Sequence, residues 1–588
     1  MEQTRIESPK EKQAAPTLCA GDIGWTDYTV RVSARVLSAM EPCGFLFRYQ
    51  TSLMHYGFFL VPGGAELVRI NKLERTVLVS CDLDWDCDCF HDLTVTVKGN
   101  SITAGLDGNT VLECTDTQYE TGCIALCACM PSQYASVTVS AETETVKALE
   151  AAALAKKQVI AKKQAEHPRP LLWKRIDLQD FGAGRQIRFG HLTGTGEMFF
   201  VICQHQRRVF KDRYPCISCM TAVSVESGQV LWQRGSPRDA EDVIHLTTDL
   251  PFQVYDIDHD GIDEVICSWD FKLMILDGKT GRVKREIPTP ENTEAPETLT
   301  GIDFNRHAFK RLNVDAISIA NVSGKKRPSD ILIKDRYARI WIYDDELRPL
   351  WKFSHNNTGH FPYSFDFNND GKDEIFSCYN MIDSSGKLLW KLPIKDDHTD
   401  EILFAEGILA IVSGWEGFML ADLGGKILFR DINGHAQRIS TGNFCPERPG
   451  YEICTTTFWE NQGIIYLYDG KGNEIWRREQ RCNGNIISPV NWDGTGTDLI
   501  LLNGNTTHGG MIDGSGDRVV NFPDDGHPEL CAEVLDITGD CRDEIVLWDR
   551  KSLWIYTQDG PSPLSVCAPR KYPTYNASNY RGEYNIWQ

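Results

Sequence analysis

The sequence predicts an all-β chain: an eight-bladed β-propeller preceded by an antiparallel β-sandwich and a linker helix. Three observations carry that expectation. A polar, Asp/Gly-rich turn followed by a short apolar strand recurs through the last two thirds of the 588 residues. Residues from about 20 to 140 alternate apolar and polar with period two. A stretch free of Gly and Pro separates the two regions. Self-similarity at about 40–60 residues, four short strands to a unit, is the mark of a propeller. Period-two alternation broken by frequent turns is the mark of a sandwich.

Residues 1–19 begin MEQTRIESPKEKQAAPTLC, a polar start without the apolar run of an export signal, and are expected to be disordered. Residues 20–142 hold YTVRVSARV, GFLFRYQ, YGFFLV, LTVTVKG, GCIALCA and ASVTVSA, the strands of the sandwich. Residues 143–168 are rich in Ala, Lys and Glu, favourable helix formers, and HPRP stops the helix. The propeller is expected to fill 169–588.

Its repeat is clearest in DIDHDGIDEVICSWD from Asp256. Asp256, Asp258, Asp260 and Gly261 match the first half of an EF-hand loop, but position 12 is Cys267 and a strand follows. The loop therefore joins two strands, and its oxygens suit a hard cation such as Ca2+. Asp366, Asn368 and Asp370 repeat the pattern, as does the turn at Asp536. Weaker copies start at His191, Asn321, Gly442 and Asn491. Counting second strands (FFVIC, EVICS, DILIK, EIFSC, LAIVS, EICTT, LILLN, EIVLW) gives eight blades. The last lacks its fourth strand, which PLLWKRIDL from Pro170 supplies, so the ring closes with strands from both ends.

The net charge of −21 argues against nucleic acid and anionic membrane surfaces as partners. No apolar run approaches a membrane span. The 20 cysteines are scattered, often inside strands, and neither Cys87–Cys89 nor Cys216–Cys219 has a second pair at zinc-site spacing. With no export signal in view, a reducing cytoplasm is the expected location.

In a propeller the Asp-rich turns between strands one and two share a face with the DGKxG turns between strands three and four. The opposite face carries the remaining loops, and there His, Arg and aromatic residues collect. His245, His307, His360, His398, His435 and His527 lie in segments leading into the next blade, and His205 and His508 between second and third strands. Trp269, Tyr337, Tyr379, Trp415, Trp459 and Trp548 lie on the same rim. Arg185, Arg207, Arg208, Arg213 and Arg336 add positive charge. Exposed aromatics beside Arg and His form a platform for sugar rings, hydroxyls and carboxylates.

WTDYTVRV, GFLFRYQ and the late hairpin LTVTVKGNSITAGLDGNTVLE resemble concanavalin-like, laminin-G-type domains attached to carbohydrate enzymes. SDILIKDRYARIWIYDDELRPLWKF and GHFPYSFDFNNDGKDEIFSCYNMIDSSGKLLW resemble the eight-bladed, calcium-loop propeller lyases that cut rhamnogalacturonan. Lys334, Asp335, Arg336 and Tyr337 carry the KDRY segment of that resemblance, and His435 and Gln437 a His–Gln segment. It implies a lyase acting on an oligosaccharide of rhamnose and uronic acid. Elimination needs a base close to a neutralised carboxylate. Arg336 suits the neutralising role, and His360, His398, His435, Lys334 or Tyr337 the base. Two alternatives stay open. A glycoside hydrolase needs a carboxyl pair, for which Asp242, Asp335, Glu416, Glu460 and Asp549 are candidates without an evident pairing. A glycan-binding propeller needs the aromatics and no base.

Overall fold

Ten sheets hold the strands of the computed structural model, which describes residues 1–4, 16–38, 40–184, 187–207, 215–237, 249–292, 309–355, 357–394, 398–459, 461, 463–480, 486–529, 531–564, 566–567 and 575–585. Two six-stranded sheets form the sandwich. Tyr28–Val36 sits between Ser132–Ser140 and Phe90–Lys98 in one sheet, and its buried residues alternate as the sequence pattern requires. Cys43–Thr51 in the other sheet is buried on both faces. The N-terminus corrects the expectation of disorder through residue 19. Glu2–Gln3 pairs with Ser132–Ser140, and Thr17–Ala20 pairs with Cys123–Ala128. Each adds a strand at a sheet edge that would otherwise leave backbone groups unpaired.

The helix Thr143–Glu166 buries none of its residues. It is held by charge: Lys156 Nζ lies 2.6 Å from Asp517, and Lys163 Nζ lies 2.6 Å from Asp513 and 2.8 Å from Asp517. Both acids belong to a turn of the seventh blade.

Eight further sheets, each of four blade strands, follow one another with their first strands side by side around a central channel. Pro170–Asp177 forms the outer strand of the last sheet, with Lys174 opposite Ile555 and Arg175 opposite Trp554. The first and last blades share a core in which Ile187 and Phe200 meet Val546 and Trp548.

The repeats are explained by the contacts they make between blades. In three blades a fourth-strand tryptophan donates its indole N–H to the next blade's Asp/Gly turn: Trp232 to Gly278 O at 2.7 Å, Trp351 to Ser384 O at 2.9 Å and Trp476 to Gly514 O at 2.7 Å. Gly281 (φ 64°) and Gly386 (φ 88°) lie flat on the Trp232 and Trp351 rings, where a Cβ would sit 2.7 and 2.8 Å from ring atoms. The Asp–Glu pair ending the acidic turns does related work. Asp263, Asp373, Asp498 and Asp543 each accept from a backbone N–H of the preceding blade, at His191, Asn321, Asn443 and Asn491, over 2.6–2.9 Å. Glu264, Glu374, Glu452 and Glu544 fold back to accept from their own turns. A buried N–H left without a partner costs about 1–3 kcal/mol, so ring closure alone demands these acids.

Two further corrections concern the chain ends and the thiols. Residues 575–585, expected within the blades, run instead along the innermost strands. Cys541 and Cys567 form a disulfide, against the expectation of reduced thiols throughout. The sandwich docks on the rim of the fifth and sixth blades: Tyr49 Oη donates to Glu479 at 3.0 Å, Lys72 pairs with Asp431, and Leu53 lies against Gly434. Among the described residues no helix is long and apolar enough to cross a membrane.

Candidate functional site

The KDRY segment closes the turn between Asp330–Lys334 and Arg339–Tyr343. Asp335 builds that turn, accepting from Ala338 N at 2.7 Å, Arg339 N at 2.8 Å and Arg339 Nε at 2.7 Å. Lys334 locks it. The ammonium is fully buried and donates to the carbonyls of Asp335, Arg336 (2.7 Å) and Gly359 (2.9 Å). Burial pushes it down to about 8, against the pull of Asp315 and Asp335. Its three donors are occupied, so Lys334 is a brace and not the base it was expected to supply. Asp335 likewise holds the loop and is no hydrolytic acid.

With the loop fixed, Arg336 and Tyr337 project toward the segments leading into the fourth and fifth blades. Arg336 Nε donates to Tyr337 Oη at 3.0 Å, and that hydroxyl lies 3.5 Å from His360 Nε2. The Tyr337 ring centroid is 4.9 Å from that of His398, and the His360 and His398 rings are 4.7 Å apart. Burial pushes the Tyr337 phenol up to about 12, with Arg336 pulling the other way. Burial also lowers the Arg336 guanidinium, but Tyr337 and Asp315 outweigh it and hold the group firmly cationic.

His360, His398 and Asp400 form the centre of this group. The two Nε2 atoms lie 3.8 and 4.0 Å from the same Asp400 oxygen, and one donor atom from each residue falls within 4.8 Å of the others. Asp400 is only 2% exposed and its other oxygen accepts from Gly414 N at 3.0 Å. Gln437 also donates to it. His360 N donates to Thr399 O at 3.1 Å, tying the two segments together. Separations near 4 Å are too long for a His–Asp hydrogen bond. They suit donors that share one divalent ion bound at about 2.0–2.5 Å. Two imidazoles and a carboxylate are a common ligand set for such ions.

The other expected residues divide. His435 is buried one blade away, its ring 5.6 Å from Trp415 in an edge contact. Tyr379 is buried and hydrogen-bonds Ser413, whose hydroxyl donates to His398 O at 2.7 Å, so it supports the cluster from behind. Trp548 is core, its indole donating to Ala183 O at 3.0 Å. His527 is buried against Phe522 and Tyr556. His205 is buried within the strand Phe199–Arg207 and is not on a loop. Trp269 is half-buried beneath Arg234. Among the described residues of the expected platform only Trp459 and His508 are exposed, so the broad aromatic rim gives way to a compact cluster. Arg185, Arg208, Arg213, His245, His307 and the side chain of Arg207 lie outside the described residues, as do Asp242 and Glu460. Glu416 pairs with Arg430, and Asp549 caps the turn at Lys551 and Ser552. Neither forms a carboxyl pair.

Asp400 and Tyr580 were missed, and Gln437 was named only through the His–Gln resemblance, without a role in the site. Asp400 was accessible from its spacing, since His398-Thr-Asp400 precedes an inner strand. Tyr580, 3.9 Å from His360 in a parallel stack, carried no signal because the C-terminal segment follows no repeat.

On the opposite face, Asp256, Asp258 and Asp260 bring a carboxylate oxygen each within 4.8 Å. Lys284 Nζ already lies 2.7 Å from Asp258, and Arg327 3.6 Å from Asp256. Asp366 accepts from Asp370 N and Gly371 N, while the Asn368 amide donates to Asp370 and Glu374. Asp536 accepts from Gly539 N and Cys541 N.

No protein-family model matches the chain, and no curated protein matches it in sequence. Among solved structures, it is similar to rhamnogalacturonan lyase PL11 of Bacillus licheniformis at 16% identity and a TM-score of 0.50, over 91% of this chain and 92% of that one. Rhamnogalacturonan lyase YesW (TM-score 0.48, 16% identity, 91% and 92% covered) and the exotype lyase YesX (0.48, 16%, 89% and 91%) give comparable values. At this identity the likeness speaks for the fold alone.

Proposed function

We propose that the protein is a polysaccharide or oligosaccharide lyase that cleaves a rhamnose–uronic acid linkage by β-elimination at the His360/His398/Asp400 cluster. The observation that carries this reading is the convergence of three ligand-type donors with a cationic Arg336 and the Tyr337 hydroxyl in one group. The fold shared with the rhamnogalacturonan lyases supports it. Removing the proton beside a uronate carboxylate leaves negative charge on that carboxylate, and catalysis depends on fixed positive charge meeting it. A divalent cation bound by His360, His398 and Asp400 supplies part of that charge when present. Arg336 supplies the rest from the chain itself. Tyr337 is the side chain in place to take the proton as its phenolate, since its oxygen accepts from Arg336 and adjoins His360. Burial raises the phenol, so it must first release its own proton to solvent, and the neighbouring positive charge is a requirement for that role. Asp400 is kept in place by Gly414 and Gln437, and Lys334 and Asp335 hold the loop that presents Arg336 and Tyr337.

Ca2+ is proposed for the Asp256/Asp258/Asp260 turn on the opposite face, with Asp366, Asn368, Asp370 and Asp536 in the related turns, as a clamp without a part in the reaction. The substrate reading is tested with pairs of oligosaccharides that differ only in reduction of the uronate carboxyl. Arg336→Ala should weaken binding, read as Kd by titration calorimetry, sharply for the acid and little for the reduced analogue, which lacks the carboxylate that elimination requires. Equal losses on both would overturn the role of Arg336 and with it the carboxylate-centred site.

A further inference from the structure

The C-terminal segment enters the propeller where a blade repeat would not. Tyr575 packs 5.1 Å from Tyr255, at the end of an inner strand next to the Asp256 turn. From there the chain climbs the channel. The Asn576 side chain donates to Ile319 O at 2.8 Å and accepts from Ile319 N at 2.6 Å. Gln253 donates to Ala577 O at 2.7 Å and accepts from Ala577 N at 3.2 Å. At the far end Tyr580 packs among Ala316 and Phe361, and Gly582 fits so closely that a Cβ would meet Leu403 at 2.5 Å. The chain then turns back, and Glu583–Asn585 pairs in parallel with Ala436–Gly442 while Arg438 bridges Glu583 (3.0 Å) and Glu401 (3.3 Å). The hairpin thus spans from the acidic-turn face to the cluster face, and it is fixed by side chains of the second, third, fifth and sixth blades.

Its tip reaches His360. The Tyr580 and His360 rings lie 3.9 Å apart with 4° between their planes. Tyr337 approaches His360 from another side at 64° and His398 at 72°. A ring on a flexible side chain is held in one rotamer only where neighbours fill the alternatives, and a flat partner in van der Waals contact fixes the plane as well.

We propose that Tyr580 is a positioning residue: the C-terminal hairpin delivers it through the channel to set the His360 ring plane so that Nε2 faces Asp400 and His398. The inference rests on the proposed reading of that cluster as a cation-holding site, and it extends the site to a segment that belongs to no blade. It is tested with the full chain carrying Tyr580→Phe, Tyr580→Leu or Tyr580→Ala. The direct readout is the His360 ring orientation in crystal structures of the variants. A second is Mn2+ affinity by titration calorimetry, and a third is kcat and KM. Phe keeps the flat ring and should leave the His360 orientation, cation affinity and turnover near those of the unaltered chain. Leu and Ala should release the ring and weaken Mn2+ binding by about 10–100-fold, the usual cost of losing a group that orients a ligand, with kcat falling more than KM rises. Leu, which retains apolar bulk, decides the matter if Ala fails to fold. An unchanged His360 ring in Leu or Ala overturns the proposal. If the unaltered chain binds no Mn2+, the cation reading of the cluster fails, while the ring orientations still decide the positioning role. If it binds Mn2+ but forms no unsaturated uronate, only the lyase reading fails.

Discussion

Asp373 and Asp400 are both buried acids at strand starts in neighbouring blades, one before a second strand and one before an innermost strand, on opposite faces of the propeller. Asp373 accepts from Asn321 N of the preceding blade at 2.7 Å and so joins two blades. Asp400 accepts from Gly414 at one oxygen and from Gln437 at the other, and that second oxygen also faces two imidazoles at distances no hydrogen bond explains. The difference shows what an acidic residue in a propeller repeat signifies. Where the repeat is regular, the acid answers the backbone's need for partners at a blade junction. Where the repeat is broken, as in the segments holding His360 and His398, the residues are not needed for closure and their chemistry calls for another account.

Breaking the irregular face should cost function first. Asp400→Asn is expected to lower turnover by about 10²–10³-fold, the range seen when a fixed electrostatic contact is removed, with its melting temperature close to that of the unaltered chain. Steady-state kinetics and calorimetry on the same preparation check both halves. Lys334→Met should do the reverse. It strands three buried carbonyls, and each unsatisfied group costs about 1–3 kcal/mol, so denaturant midpoints should fall strongly while the folded fraction retains its pH–rate profile. Were Lys334 the base, that profile would change.

Asp373→Ala probes the regular face. Loss of about 1–3 kcal/mol is expected, measured by urea unfolding, with kcat/KM unchanged. The two faces also share a pH response. Burial pushes Glu401 up to about 8, against Arg438, and Asp373 up to about 6, against its Asn321 bond. A carboxyl whose folded-state value is raised binds more protons folded than unfolded between its two values. Stability therefore falls as pH rises from about 4 to 6 for Asp373 and from about 4.5 to 8 for Glu401. Melting temperatures recorded across this range should decline toward pH 8, and Glu401→Gln should flatten the upper part. The smallest effect is expected from calcium. Lys284 and Arg327 already neutralise part of the Asp256 turn, so saturating Ca2+ should raise the melting temperature by only a few degrees, following the linkage between ligand binding and stability. Lys284→Ala should enlarge that response.

The regular parts of the molecule were legible in the sequence for the same physical reason that makes them regular. Trp232 over Gly281 and Asp263 on His191 recur in several blades because those blades meet the next in the same way, so a short recurring pattern announces its own architecture. The strand from Pro170 could be assigned to the last blade because that blade alone lacked it. The site was legible only in part. His360, His398, Arg336 and Tyr337 stood out as residue types on one face. Lys334 looked equally reactive, and only its burial among three carbonyls shows otherwise. Trp548 and His527 looked exposed because loop residues were counted outward from strand ends, whereas their rings turn back into the core. Tyr580 reaches the cluster from more than 200 positions beyond His360 along a path that no periodicity marks.

The reaction itself is decided by ultraviolet absorbance. Elimination at a uronate leaves a double bond conjugated with the carboxylate, and hydrolysis does not. Incubated with oligosaccharides of alternating rhamnose and galacturonate, the protein should generate that absorbance in step with chain cleavage, and Asp400→Asn should abolish both together. Cleavage with incorporation of solvent water and no rise in absorbance would make the protein a hydrolase and contradict the role assigned to the cluster.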